Sequence, residues 1–272
     1  MKRLCAVLAL ACVALAGLPG TALADHDDGI YEIPTRDFWD KTKLTVLVVP
    51  PEHGQLYNAY GPLAGGNPEE VTPFENSYIR AMEDSIEEWR NGVRKFGSAL
   101  LRKKLKFPTY VLGRDDVPPE VLQNPDILVV TDENKGPVLG FAYYSKPCIV
   151  NNSRMFTRSF TYADMFNVMG QEFGHCLGLG HVGSQGGVEP TSSQKHPEHD
   201  VMNGFYADPI GGEGVHLHCV STLDVAALDW TFKKASGSDK NKTIYMLVDD
   251  YETTCGGDGR VSPQDRSERF VF

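Results

Sequence analysis

The chain has 272 residues, 41% of them hydrophobic and 23% charged, with a formal net charge of −10. That length suits one large domain or two small ones. The acidic balance weighs against nucleic acid as a partner, because phosphate contacts need a positive field.

The first residues carry the three parts of a secretory signal: Lys2-Arg3, the apolar run Leu4 to Ala16, and Ala22-Leu23-Ala24. Cleavage is expected after Ala24, so residues 1–24 are read as a signal peptide and the mature chain begins at Asp25. The run is too short to span a bilayer and is broken by Gly17, Pro19 and Gly20, and no later segment is long and apolar enough to be a span. The mature protein is therefore expected to be secreted, extracellular or periplasmic, without membrane contact. Four cysteines remain after cleavage, Cys148, Cys176, Cys219 and Cys255. An even number in an exported protein points to two disulfides, with three possible connectivities. No CxxC pair suggests a cysteine-based zinc site.

Residues 25–42 are polar, acidic and aperiodic, and read as an extended N-terminal arm. Leu44 to Val49 is a β-branched run ending at a proline pair, the mark of a buried strand. A Gly/Pro/Asn-rich loop covers 51–70. Thr72-Pro73-Phe74-Glu75 is a helix-start signature, and Ile79, Met82, Ile86, Trp89, Val93, Phe96 and Leu100 follow at three- and four-residue spacing, predicting one long helix with that stripe against a sheet. The basic residues Arg94, Lys95, Arg102, Lys103, Lys104 and Lys106 read as a solvated helix end. Strands are predicted at Thr109 to Leu112, Asp126 to Thr131, Leu139 to Tyr144 and Cys148 to Val150. This order predicts an α/β (α+β) class, a mixed sheet with the long helix on one face. The main domain is placed at 43–235 and a turn-rich extension at 236–272, with a strand at Thr243 to Val248. Asn151-Asn152-Ser153 and Asn241-Lys242-Thr243 fit the glycosylation pattern.

The chemistry lies on a second predicted helix, from the capping signature Thr161-x-x-Asp164 to about Leu177. Tyr162, Phe166, Met169, Phe173, Cys176 and Leu177 share one side of it, and Gln171 and His175, four residues apart, project together from the other. Gly178 can take the left-handed conformation that ends a helix and lets the chain bring His181 back towards the same point. Glu172 is offset from these donors by about 100° of arc, which suits a base acting on a metal-held water rather than a ligand.

These residues resemble the metzincin metallopeptidases, whose pattern is H-E-x-x-H-x-x-G-x-x-H followed by a methionine turn. Glu172, His175, Gly178 and His181 match at every spacing, and Asp200-Val201-Met202-Asn203 resembles the methionine turn. Asp126 to Val130 and Gly140 to Tyr144 are similar to the strands that precede the active-site helix in matrixin-like domains, and Ser221 to Trp230 to their closing helix. The resemblance implies a zincin-like fold: a mixed twisted sheet, a long backing helix, an active-site helix and a smaller irregular C-terminal part. It implies Zn2+ held by Gln171, His175 and His181, Glu172 as catalytic base and proton donor, Met202 beneath the metal, and an extended peptide or protein substrate lying along Leu139 to Tyr144 of a monomer. Of the three connectivities, a bond between Cys176 and Cys219 would tie the active-site helix to the closing helix and leave Cys148 to pair with Cys255, a choice that the sequence alone does not make. Tyr206 is a candidate oxyanion stabiliser.

Gln171 departs from the family pattern, since a neutral amide oxygen is a weaker zinc donor than imidazole. Either Gln171 ligates, or the domain is a metal-poor binding protein, or one of His196, His199, His216 and His218 supplies the missing ligand. His216-x-His218 would present two rings on one side of an extended segment. A serine or cysteine hydrolase finds no G-x-S-x-G elbow here, and Cys176 falls on the apolar side.

Overall fold

The computed structural model describes residues 29–36, 38–50, 57–58, 61–62, 73–132, 139–153, 162–185, 199–203, 216–233 and 242–255. The predicted signal, the capping residues Thr72 and Thr161, His196 and Tyr206 lie outside them. In chain order the elements are β1 (Ile30–Pro34), β2 (Val46–Val48), the short pair β3 (Tyr57–Asn58) and β4 (Gly61–Pro62), and the helices α1 (Pro73–Phe96) and α2 (Ala99–Lys104). Then follow β5 (Thr109–Val111), α3 (Pro119–Gln123), β6 (Ile127–Asp132), β7 (Gly140–Tyr143), β8 (Cys148–Ser153), α4 (Tyr162–Cys176), β9 (Gly183–Gln185), α5 (Thr222–Lys233) and β10 (Thr243–Leu247).

A strand covered on both faces needs apolar residues at every position, and β2 meets this with Val46, Leu47 and Val48 all fully buried. It lies centrally in a five-stranded mixed sheet of order β5-β2-β6-β8-β7. The first four strands in that order are parallel neighbours, while β7 runs antiparallel to β8 and leaves its other edge unpaired within the sheet. Side chains alternate as the two-residue period requires. Val46, Val48, Ile127, Val129, Cys148 and Val150 face the core shared with α1 and α4, whereas Leu47, Val49, Leu128, Val130 and Ile149 pack with Val121 of α3 on the other side. The chain is thus a mixed α and β protein with a mixed sheet and several helices, and no helix among the described residues is long and apolar enough to cross a membrane.

The long helix stops one turn earlier than its stripe predicts. Ile79, Met82, Ile86, Trp89 and Val93 are buried as expected, but Leu100 belongs to α2 and is 40% exposed. Gly97 and Ser98 interrupt the helix; the Ser98 hydroxyl accepts from Leu101 N at 3.2 Å, capping α2, and donates to Asp229 Oδ1 of α5 at 2.5 Å. A serine that caps competes with helix continuation.

Helix α4 is buried on almost every side. It lies against α1 through Gly174, where a Cβ would collide with the Met202 sulfur and the Trp89 ring. Trp89 Nε1 donates to Gly170 O at 2.9 Å, and Trp39 Nε1 donates to Cys176 O at 2.7 Å at the helix end.

The disulfides are Cys148–Cys176 and Cys219–Cys255, each with Cα atoms 5.7 Å apart, which corrects the pairing suggested above. The reason is a match of lengths. Six residues of β8 advance about 20 Å and fifteen of α4 return about 22 Å, so the end of α4 comes level with the start of β8. A second correction concerns Asn151, which is 2% exposed inside β8 and so buried away from any glycosylation machinery.

A second sheet, of order β10-β1-β9, is antiparallel and joins three distant segments: the N-terminal arm, the loop following His181 and the C-terminal segment.

Candidate metal centre

Gln171 and His175 stand one helical turn apart on α4, and both line a cleft of 690 Å³ together with Glu172 and His181. The edge strand β7 forms one wall of that cleft through Gly140, Phe141 and Ala142. After Cys176 the chain reverses at Gly178, whose φ of +97° lies in the left-handed region that glycine tolerates. A Cβ there would also stand 2.8 Å from Arg36 O. The returning segment is held by the end of the N-terminal arm: Arg36 N donates to Gly178 O and Gly180 N donates to Pro34 O, both at 2.7 Å.

The turn brings the two imidazoles together, with Nε2 of His175 3.0 Å from Nε2 of His181 and ring centroids 4.7 Å apart. His175 Nδ1 lies 2.8 Å from the Leu179 carbonyl. A carbonyl can only accept, so Nδ1 carries the proton in the neutral ring and Nε2 presents its lone pair towards His181. Burial lowers the His175 pKa to about 4, opposed by the Leu179 carbonyl and reinforced by the charges of His181 and Arg36; burial lowers His181 as well. At 3.0 Å the two Nε2 atoms share a hydrogen bond, and two uncharged rings so placed can both turn lone pairs to a cation once His181 carries its proton on Nδ1. Nitrogen ligands in a tetrahedral zinc site stand about 3.3 Å apart, given bonds of about 2.0–2.1 Å.

The Gln171 amide nitrogen donates to Asn203 O, which leaves Oε1 as its remaining donor atom towards a metal. Glu172 is 5% exposed, and burial raises its carboxyl to about 8. Met202 is fully buried at Gly174, next to His175. Its turn is tied at both ends: Met202 N donates to Asp200 Oδ1 at 2.7 Å, and Val182 N donates to Met202 O at 2.9 Å, linking it to the residue after His181.

Among the described residues no group of three or more His, Cys, Asp and Glu side chains could hold a metal ion; the two histidines come together, and Gln171 lines the same cleft. The other histidines separate. His218, 4% exposed, lines the cleft, whereas His216 stacks on His199 with centroids 4.6 Å apart. The two rings of His216-x-His218 therefore do not act as the pair their alternation predicts. Asn167 explains the arrangement, because its Nδ2 donates to His216 O at 2.8 Å and its Oδ1 accepts from His218 N at 2.7 Å, clamping this segment onto α4.

Asn167, Arg36 and Tyr144 are cleft residues that motif reading does not single out. Asn167 lies four residues before Gln171, so helical spacing alone could have found it. Nothing local marks Arg36.

Comparison of the chain with models of known protein families, with curated proteins and with solved structures finds no match.

Proposed function

We propose that the protein is a secreted zinc-dependent endopeptidase of the metzincin type. The observation that carries this reading is the convergence of His175 Nε2 and His181 Nε2 beside the buried Glu172 in one cleft. The mixed sheet, the glycine turn after α4 and the buried Met202 beneath Gly174 fit what the family resemblance implies. Two disulfides are compatible with an oxidising, extracellular setting.

His175 and His181 would hold the ion, with Gln171 Oε1 as a third donor. The two imidazoles fit zinc, and the carbonyl oxygen fits it less well. Zinc bound there would supply Lewis acidity, polarising a carbonyl and acidifying water. The chain's own groups do the rest. The Leu179 carbonyl fixes the His175 tautomer. Among the described residues no strand pairs with the outer edge of β7, which offers backbone groups to an extended peptide, as an added strand would use them. Glu172, buried in the same cleft, would in its ionised form take a proton from the attacking water and return it to the leaving amine.

A second reading, a metal-poor binding protein on the same fold, is favoured by one observation: Gln171 directs its amide nitrogen to Asn203 O and stands where a third imidazole is expected. Zinc content of the purified protein, measured beside peptide cleavage in the native chain, Gln171→His and Glu172→Ala, separates the two. The enzyme reading expects near-stoichiometric zinc, tighter binding in Gln171→His, and retention of zinc with a loss of about 10²-fold or more in cleavage for Glu172→Ala. Cleavage undiminished in Glu172→Ala sinks the mechanism, and a native protein without zinc supports the binding protein.

A further inference from the structure

Arg36 combines two separable roles. Its backbone holds the turn between His175 and His181, through N–H to Gly178 O at 2.7 Å. Its side chain has no such duty: it is exposed, lines the cleft and makes no hydrogen bond or ion pair among the described residues. Its guanidinium carbon lies 4.5 Å from the centroid of the Tyr144 ring. Phe38 meets that ring edge-on at 5.9 Å. A guanidinium held over an aromatic ring by attraction to the π face uses up none of its N–H groups on a hydrogen-bond acceptor, so donors remain available as a fork. Arg36 is also the only lysine or arginine among the described residues lining this cleft, in a chain whose net charge is −10. Glu172 is the only acid among them.

We infer that Arg36, held over the Tyr144 ring, reads a carboxylate on the bound substrate, so that the cleft prefers peptides carrying an acidic group beside the scissile region. This deepens the endopeptidase reading and rests on it for the identity of the ligand. The carboxylate can come from an aspartate or glutamate side chain or from the C-terminus of a short peptide. Both match the guanidinium fork in the same way.

The test uses the zinc-supplemented full chain and a set of labelled peptides with Glu or Gln placed at successive positions, each made as the C-terminal acid and as the amide. In the native protein one position should favour Glu over Gln by about tenfold in kcat/KM, with the preference shrinking as salt rises. Arg36→Gln should bring the ratio close to one, and Arg36→Lys should keep part of it. A preference for acid over amide instead of Glu over Gln assigns the carboxylate to the chain terminus. Equal ratios in native and Arg36→Gln proteins, in both arms, overturn the inference. If no peptide is cleaved, the peptidase reading fails. Anisotropy binding of the same peptides then tests Arg36 separately, with loss of the acidic preference in Arg36→Gln expected and an unchanged preference overturning it.

Discussion

Glu172 is a glutamate that the fold has enclosed between α4 and β7, where a Cβ on Gly140 would lie 3.1 Å from its Cγ. Its carboxyl, near 4.5 when solvated, is raised to about 8 by burial. A raised pKa means that the folded state prefers the protonated form, so this contribution to stability is full below about pH 4.5 and is lost as pH rises to about 8. His175 acts in the opposite sense. Its folded value of about 4 lies below the solvated 6.5, so its contribution is full above 6.5 and is lost as pH falls through 4. In the metal-free protein Glu172→Gln should therefore flatten the decline in melting temperature between about pH 4.5 and pH 8, a difference on the order of a few kcal/mol at the upper end. Parallel melts of the two proteins across that range check it, and identical curves refute it. At this scale the sequence was informative wherever chemistry follows helical spacing. Gln171, Glu172, His175 and the glycine that returns His181 could be placed from their intervals alone. Arg36 could not, because its position in the cleft depends on the pairing of 34–36 with 178–180, some 140 residues away along the chain.

Among the elements, α1 and α4 were legible from their apolar period and the strands of the five-stranded sheet from short apolar runs, whereas α5, apolar on more than one side, was reached only through the family resemblance. The break after Phe96 was not, because the stripe continues in register to Leu100 while Ser98 is drawn off to cap α2 and bind Asp229. β1 and β9 escaped for a related reason: Ile-Tyr-Glu-Ile-Pro is short and ends in proline, and Gly-Ser-Gln has no strand preference at all, so only their pairing makes them strands. The Cys148–Cys176 bond joins the start of β8 to the end of α4 and closes a loop of 28 residues. Replacing both cysteines by serine should cost about 3–4 kcal/mol by loop entropy, read as a lower denaturant midpoint. Peptide mapping without reductant should recover Cys148 with Cys176 and Cys219 with Cys255; a fragment joining Cys176 to Cys219 would contradict the fold described here.

Across the whole molecule, a buried cluster ties the methionine turn to α5 and to the C-terminal segment. Asp200 accepts from Met202 N and from the Tyr251 hydroxyl, the latter at 2.6 Å, while Ser221 and Asp224 cap α5 reciprocally at 2.9 and 3.1 Å. Both aspartates are fully buried. Burial raises Asp200 to about 6 and, together with the charge of Asp200, raises Asp224 well above its ordinary range. Asp224 Oδ1 has no hydrogen-bond partner unless it shares a proton with Asp200. With both values raised, the cluster stabilises the fold at low pH and loses that contribution as pH rises through about 6. Asp224→Asn keeps the cap and supplies a permanent donor to Asp200. It should raise the melting temperature at pH 8 by about 3 °C or more while leaving it unchanged near pH 4.5; a loss at pH 8 would refute the shared proton. The sequence offered no sign of this cluster, because its members lie on separate segments. The same is true of the three-stranded sheet, and its make-up has a consequence for how the protein is born. The strand that braces the His181 turn pairs on one side with residues 183–185 and on the other with 243–247. Chains are made from the N-terminus at about 5–20 residues per second. A ribosome must therefore have released residues 243–247 before that brace is complete, so it closes only after the active-site helix and α5 have both been made.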